Sequence, residues 1–241
     1  MKKAFLLIII LLLVAIVYLV ITTFSVNDLQ PRYDSSSGQP VGKYSLAQEH
    51  LGEALTYRTI SHKPEMLDTS AFAGFLTFLS ETYPLTFENV IDTFGTHTVL
   101  IKISGTQTEL KPALFMGHMD VVPVPSNTLS QWNKPPFKAQ IQNDSLYGRG
   151  TLDDKLGVIG LLEATEHLLS SGRKVNRSFY LAFGQDEEIG GNLGALSVAN
   201  YFYDNQLPLE FVMDEGGVIT KGLVPGVAEE TALIGIAEKG Y

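Results

Sequence analysis

A histidine and an aspartate stand two residues apart where an apolar run breaks at a glycine, in Leu114-Phe115-Met116-Gly117-His118-Met119-Asp120. Residues i and i+2 of an extended segment share a side, so His118 and Asp120 can face one site, the carboxylate orienting the imidazole through its second nitrogen. Three acidic clusters follow. Gly148-Arg149-Gly150 leads to Asp153-Asp154-Lys155, Asp186-Glu187-Glu188 comes just after the apolar run ending at Phe183, and Asp214-Glu215 comes after Phe211-Val212-Met213. Singly, each has an ordinary structural explanation: a satisfied core histidine, a helix N-cap, a solvated turn. Together, one imidazole and carboxylates from three loops form a donor set suited to Zn²⁺ or a similar divalent ion. The carboxylates exceed one ion's needs, which points to two. Two ions about 3.5–4 Å apart can share a carboxylate and a water that attacks as hydroxide, with a further carboxylate as general base.

These residues need elements to hold them. Residues 98–103 and 113–116 are β-rich runs that read as neighbouring strands, and 178–183 and 211–213 read as further strands. Residues 155–170 and 194–205 are apolar at helical spacing, and the alternation predicts an α/β sheet flanked by helices, with ligands gathering beyond strand ends. Upstream, Leu46, Leu51, Ala54 and Leu55, then Phe72, Phe75, Leu76 and Leu79, predict two amphipathic packing helices joined around Pro64. Residues 138–142 and 146–147 suggest a hairpin turned at Asn143-Asp144. Trp132 lies in a long loop, 123–136, either lining a pocket or anchoring the loop.

The chain has 241 residues, 45% hydrophobic and 18% charged, enough for a proper core. Its formal charge of -9 argues against a nucleic-acid partner, and the absence of cysteine excludes disulfides, thiolate nucleophiles and Cys-type zinc sites. Lys2 and Lys3 precede an almost unbroken apolar run from Ala4 to Phe24, matching the roughly 20 residues that cross a bilayer. This predicts an uncleaved signal-anchor in residues 1–25, the alternative being a cleaved signal peptide and secretion. The lysines on the short side place the N-terminus in the cytoplasm and the rest of the chain in a lumen or outside the cell. Residues 26–44, rich in Pro, Ser, Gly and Gln, read as a linker, and 45–241 as the folded part.

His118 to Pro123, Gly148-Arg149-Gly150 through Asp153-Asp154-Lys155, Asp186 to Gly191 and Asp214-Glu215-Gly216 resemble, in order, the four motifs of the M20 family of metallopeptidases, which includes aminoacylases, carboxypeptidases and carnosinases. The loop from Trp132 to Phe137 and the N-terminal span look most like its carboxypeptidase S branch, whose relatives cleave and form N-acyl amino acids. The resemblance implies a zinc-peptidase-like α/β domain with a mixed, mostly parallel sheet, two zinc ions and hydrolysis of peptide or N-acyl amino acid bonds. It makes His118 a ligand of one zinc, Asp153 the bridging carboxylate, Glu188 a ligand of the second zinc, Glu187 the general base and Asp120 the residue that orients His118. The acidic ligand after the next strand falls on Asp214 or Glu215.

The family also has a late histidine ligand and an inserted domain carrying dimer contacts. Neither has a counterpart before Tyr241, and His50, His62, His97 and His167 lie in no matching motif. The expectation is the N-terminal portion of a membrane-anchored, homodimer-forming amidohydrolase, inactive as this piece alone. The alternatives are an aminopeptidase of related fold and a catalytically incompetent tethered module that binds metal or a partner.

Overall fold

A computed structural model describes residues 2–25, 45–63, 68–143, 145–216, 218–223 and 230–233. The expected linker at 26–44 and the Pro64 joint lie outside these residues. The chain divides into two compact units, Met1–Lys43 and Tyr44–Tyr241. In the first, helix α1 (Lys2–Ser25) contains a span, Phe5–Thr23, long and apolar enough to cross a membrane.

The second unit opens with α2 (Ser45–Ala54), α3 (Thr69–Thr82) and the single turn α4 (Pro84–Phe87). The Asp68 carboxylate caps α3 by accepting the N–H groups of Ser70 and Ala71, and Phe72, Phe75, Phe78 and Leu79 are the buried stripe of that helix. Strands β1 (Val90–Phe94), β2 (Thr98–Ile103) and β3 (Ala113–His118) follow. The short strands β4 (Gln140–Gln142) and β5 (Ser145–Tyr147) form the expected hairpin, with Asn143 left-handed at φ 51° in its turn. After α5 (Lys155–Ser170) come β6 (Phe179–Gly184), α6 (Ala195–Asp204), β7 (Phe211–Met213) and a hairpin of β8 (Val218–Lys221) and β9 (Glu230–Leu233).

The main sheet has the order β1-β2-β6-β3-β7. β2 pairs antiparallel with both β1 and β6, while β3 is parallel to β6 and β7, so four strands run one way and β2 alone opposes them. The sheet is thus mixed and mostly parallel, as expected. One expectation fails: β2 and β3 are not neighbours, because β6 is inserted between them. β6 carries buried Tyr180, Leu181, Ala182 and Phe183 in succession, and a strand apolar on both sides belongs in the middle of a covered sheet.

The two faces pack separately. On one, Val99, Ile101, Leu181 and Phe183 meet Val158, Ile159 and Leu162 of α5 and the phenylalanines of α3. On the other, Leu100, Leu114, Tyr180 and Ala182 meet Val198 and Phe202 of α6. This sandwich aims the C-terminal ends of β3, β6 and β7 at one place.

Candidate metal centre

His118 ends β3 with 2% of its surface exposed. Its Nδ1 lies 3.0 Å from the carbonyl oxygen of Asp120 and 3.3 Å from that residue's Oδ1. Its Nε2 points the other way, 2.9 Å from Asp153 Oδ1 and 3.9 Å from Glu187 Oε2. Burial opposes protonation of the ring, but the hydrogen bond and charge of Asp120, with Asp154 and Glu187 behind them, outweigh it and raise the imidazole to about 10.

Asp120 is fully buried and fastens two elements. Its Oδ2 accepts the Ser61 hydroxyl at 2.6 Å and the Glu188 N–H at 3.1 Å, and its Oδ1 accepts the Glu187 N–H at 3.1 Å. Ser61 is delivered by a short pairing in which Val121 N–H donates to the Thr59 carbonyl and the Thr59 hydroxyl donates to the Met119 carbonyl. Thr59 and Ser61 escaped the sequence reading; they look like connector residues, and only their pairing with residues 119–121 gives them a place.

The adjacent aspartates divide their work. Asp154 is buried, caps α5 through the Gly157 N–H at 3.2 Å and accepts the His118 N–H at 3.2 Å, tying helix to strand. Burial is the main influence on its carboxyl and raises it to about 6 against the lowering effect of His118. A Cβ at Gly117 would stand 2.7 Å from Asp154 Oδ2, so this contact requires the glycine that breaks the apolar run. Asp153, 63% exposed and joined to Asp154 by a cis peptide bond, reaches His118 instead. Lys155 turns inward, its ammonium donating to the carbonyls of Ala54 and Tyr57 at 2.8 and 2.7 Å.

Glu187 and Glu188 open a single 3₁₀ turn after β6, with Glu187 53% exposed. Glu188 Oε1 is enclosed without a hydrogen-bond partner, and burial, then Asp153, raises its carboxyl above the ordinary range. After β7, ligand atoms of Glu215, His118 and Asp153 lie within 4.8 Å of one another. Asp214 is not in that group; it lines a recess beside His118. The Glu215 carboxyl is also raised, first by burial, with Asp153 and Glu187 adding to it and His118 opposing.

Most of the residues expected at the site converge, and histidines outside the motifs have other partners, as their lack of a matching motif suggests. His50 and Tyr83 both contact Glu163, and His97 packs on the Phe72 ring with its centroid 5.3 Å away. Trp132 is half-buried under the Arg149 guanidinium, 5.2 Å from the ring centroid, and does not line the recess.

The donor set fits a divalent cation. One imidazole nitrogen and carboxylates from separate strand ends approach closely, and a buried carboxylate oxygen waits without a hydrogen-bond donor. An α/β domain with such a cluster at the carboxyl ends of its strands carries a candidate divalent-cation site where such folds gather ligands. Residues 114–231 match Peptidase family M20/M25/M40, and the chain belongs to that family. It is 36% identical over 240 residues to the probable carboxypeptidase S-like 2 of Dictyostelium discoideum, covering 92% of this chain and 44% of that protein. It is also 36% identical to the N-fatty-acyl-amino acid synthase/hydrolase PM20D1 of Xenopus tropicalis, over 80% of this chain and 38% of that one. The crystal structure of the M20 family metallo-carboxypeptidase Sso-CP2 from Sulfolobus solfataricus superposes with a TM-score of 0.54 at 28% identity, covering 70% of this chain and 37% of that one. The chain thus spans less than half the length of these relatives.

Proposed function

We propose that this domain supplies metal-holding and proton-transferring groups for hydrolysis of peptide or N-acyl amino acid amide bonds. The observation that carries the reading is the approach of His118, Asp153 and Glu215 ligand atoms to within 4.8 Å, with Glu187 3.9 Å from the same imidazole. His118, Asp153, Glu188 and Glu215 would hold zinc, Asp153 between two ions, with Asp214 the reserve candidate beside Glu215. Zinc bound there would polarise an amide carbonyl and acidify a water at neutral pH.

The chain's own groups do the rest. The Asp120 main-chain oxygen can accept the Nδ1–H of His118, which would leave Nε2, once its proton is displaced by a metal ion, as the ligand atom. Asp120 also fixes the backbone of Glu187 and Glu188, so that Glu187, held at its own N–H, swings only its side chain. Glu187 is exposed enough to meet solvent and substrate, and it would take a proton from water and pass it to the leaving amine. The names of the Dictyostelium and Xenopus relatives support amide substrates next to a free carboxylate. We assign residues 1–25 as a membrane anchor, 26–44 as a linker and 45–241 as the catalytic part, with this part outside the cytoplasm and dimer contacts in regions beyond the matched segment.

Glu187→Gln, made in a version extended to the full length of its relatives, tests the assignment, because a base acts on protons without holding the ion. Hydrolysis of an N-acyl amino acid should fall about 10²–10⁴-fold, with zinc content by elemental analysis unchanged. Retained turnover, or zinc lost along with it, would overturn the role of Glu187. An unaltered extended version that binds zinc and never hydrolyses amides would favour the metal-binding module instead.

A further inference from the structure

Lys155 places an ammonium where a packed core ordinarily has none. It is fully buried, its Nζ donates to the carbonyls of Ala54 and Tyr57, and the charge stands 4.5 Å from the centroid of the Phe75 ring. Among the described residues it pairs with no carboxylate. Two carbonyls and a ring face ease the loss of water without supplying an anion, and an apolar residue of the same length would fill the space without that cost. Lys155 is also the first residue of α5, where the helix dipole disfavours a cation. Stability does not account for it.

What the ammonium grips is the segment 54–61, and that segment also reaches the other side of the site. There the Thr59 hydroxyl donates to the Met119 carbonyl at 2.6 Å, and the Ser61 hydroxyl donates to the Asp120 carboxylate at 2.6 Å. Asp153, two residues before Lys155, and Asp120 flank the His118 ring at Nε2 and Nδ1. One strap is thus fastened at one end to the turn carrying Asp153 and at the other to the residue that orients His118. Between the fastenings it lies against the same turn, where a Cβ at Gly148 would stand 2.8 Å from Leu55 Cδ1. Asp153 depends on such neighbours, because its side chain is largely exposed and its hydrogen-bond partner among the described residues is His118 itself.

We propose that Lys155 is a positioning residue for the metal centre: by gripping the 54–61 strap it sets the separation between the Asp153 turn and the Asp120–His118 pair. The proposal rests on the metal-holding reading above. An apolar side chain would fill the same volume and leave the strap free to slide along the turn. Directed N–H bonds to two carbonyls fix its register, and a shift of about 1 Å at a working group already costs about 10²-fold.

The test uses the full chain in detergent micelles, with zinc affinity read by calorimetry and the stability of the metal-free protein by its urea midpoint. Lys155→Met keeps the length and removes the charge with its donors. Zinc affinity should fall about 10–100-fold, the range for partners one step removed from an ion, while the urea midpoint stays level or rises. A packing role would do the reverse, lowering the midpoint and sparing the zinc affinity of the folded protein. Ser61→Ala releases the other end of the strap. The double variant should lose less affinity than the product of the two single losses, because a strap already free at one end positions nothing. Should Lys155→Met fail to fold, Lys155→Gln, whose amide can still donate to one carbonyl, carries the same comparison; failure of both would make Lys155 a stability residue and overturn the proposal. Unchanged zinc affinity in the folded variant, or losses that multiply independently with Ser61→Ala, would overturn the strap and leave the metal reading standing. An unaltered chain that binds no zinc would overturn both.

Discussion

The carboxylates at the β3–β6 junction and those after β7 have opposite surroundings. At the junction, Met119 and Asp120 are fully buried, and Asp120 accepts three hydrogen bonds from two different segments. At β7, Phe211, Val212 and Met213 are 45–56% exposed, and the Glu215 N–H donates at 3.0 Å to its own neighbour, Asp214. Among the described residues one side of the site is thus held by buried contacts, whereas Glu215 stands at an exposed strand end, so the two sides should respond differently to substitution.

The largest effect should come from the side held by buried contacts. Asp120→Ala leaves the Ser61 hydroxyl and the N–H groups of Glu187 and Glu188 without their acceptor. Each buried donor so stranded costs about 1–3 kcal/mol, so three of them, partly rescued by water, should cost about 3 kcal/mol or more. Urea unfolding of the metal-free protein measures this. A loss below about 1 kcal/mol would mean that the junction is no more fixed than the β7 end, and the contrast would collapse.

The open side should show up in metal affinity rather than stability. Glu215→Gln should weaken zinc binding by more than the about 10–100-fold typical of an outer partner, and Asp214→Asn by less than about tenfold. Unfolding in the absence of metal should barely change for either. Equal losses of zinc affinity would put both acids on the ion and would return the choice between them to where the sequence left it.

Much of this was legible in the sequence because it rests on local patterns. The apolar runs of β3 and β6 mark themselves by composition, the stripe of α3 by its spacing, and the carboxylate loops by glycines next to acids. A place for Asp153 beside His118 was implied by the resemblance of the four motifs to the M20 family. Strand order was another matter: nothing local says that β6 enters between β2 and β3, since both orders satisfy the same apolar periods. β1 was missed because Val90–Phe94 alternates half-buried and exposed residues and pairs with only one neighbour, β2. Ser61 was invisible for a similar reason, as its partner is 59 residues away. The placement of Glu215, rather than Asp214, near His118 and Asp153 needed coordinates, because it depends on how the chain turns after β7.

The smallest expected effect is the sharpest probe of the open edge. Val212 pairs its backbone with Leu114 on one side of β7, and its side chain is 52% exposed. Thr replaces Val with the same branching at Cβ and a similar preference for strands, so the backbone should not notice the exchange. What remains is the exchange of a methyl for a hydroxyl on a surface already half in water, which should stay within about 0.5 kcal/mol. Urea midpoints of Val212→Thr and the unaltered protein, taken at two protein concentrations, decide the matter. A loss above about 1 kcal/mol that grows with concentration would mean that a second copy covers this edge in solution. The same loss independent of concentration would mean that β7 is packed from within the chain. Either result would make the Glu215 end as supported as the His118 end, and the unequal response to Asp120→Ala and Glu215→Gln would then need another cause.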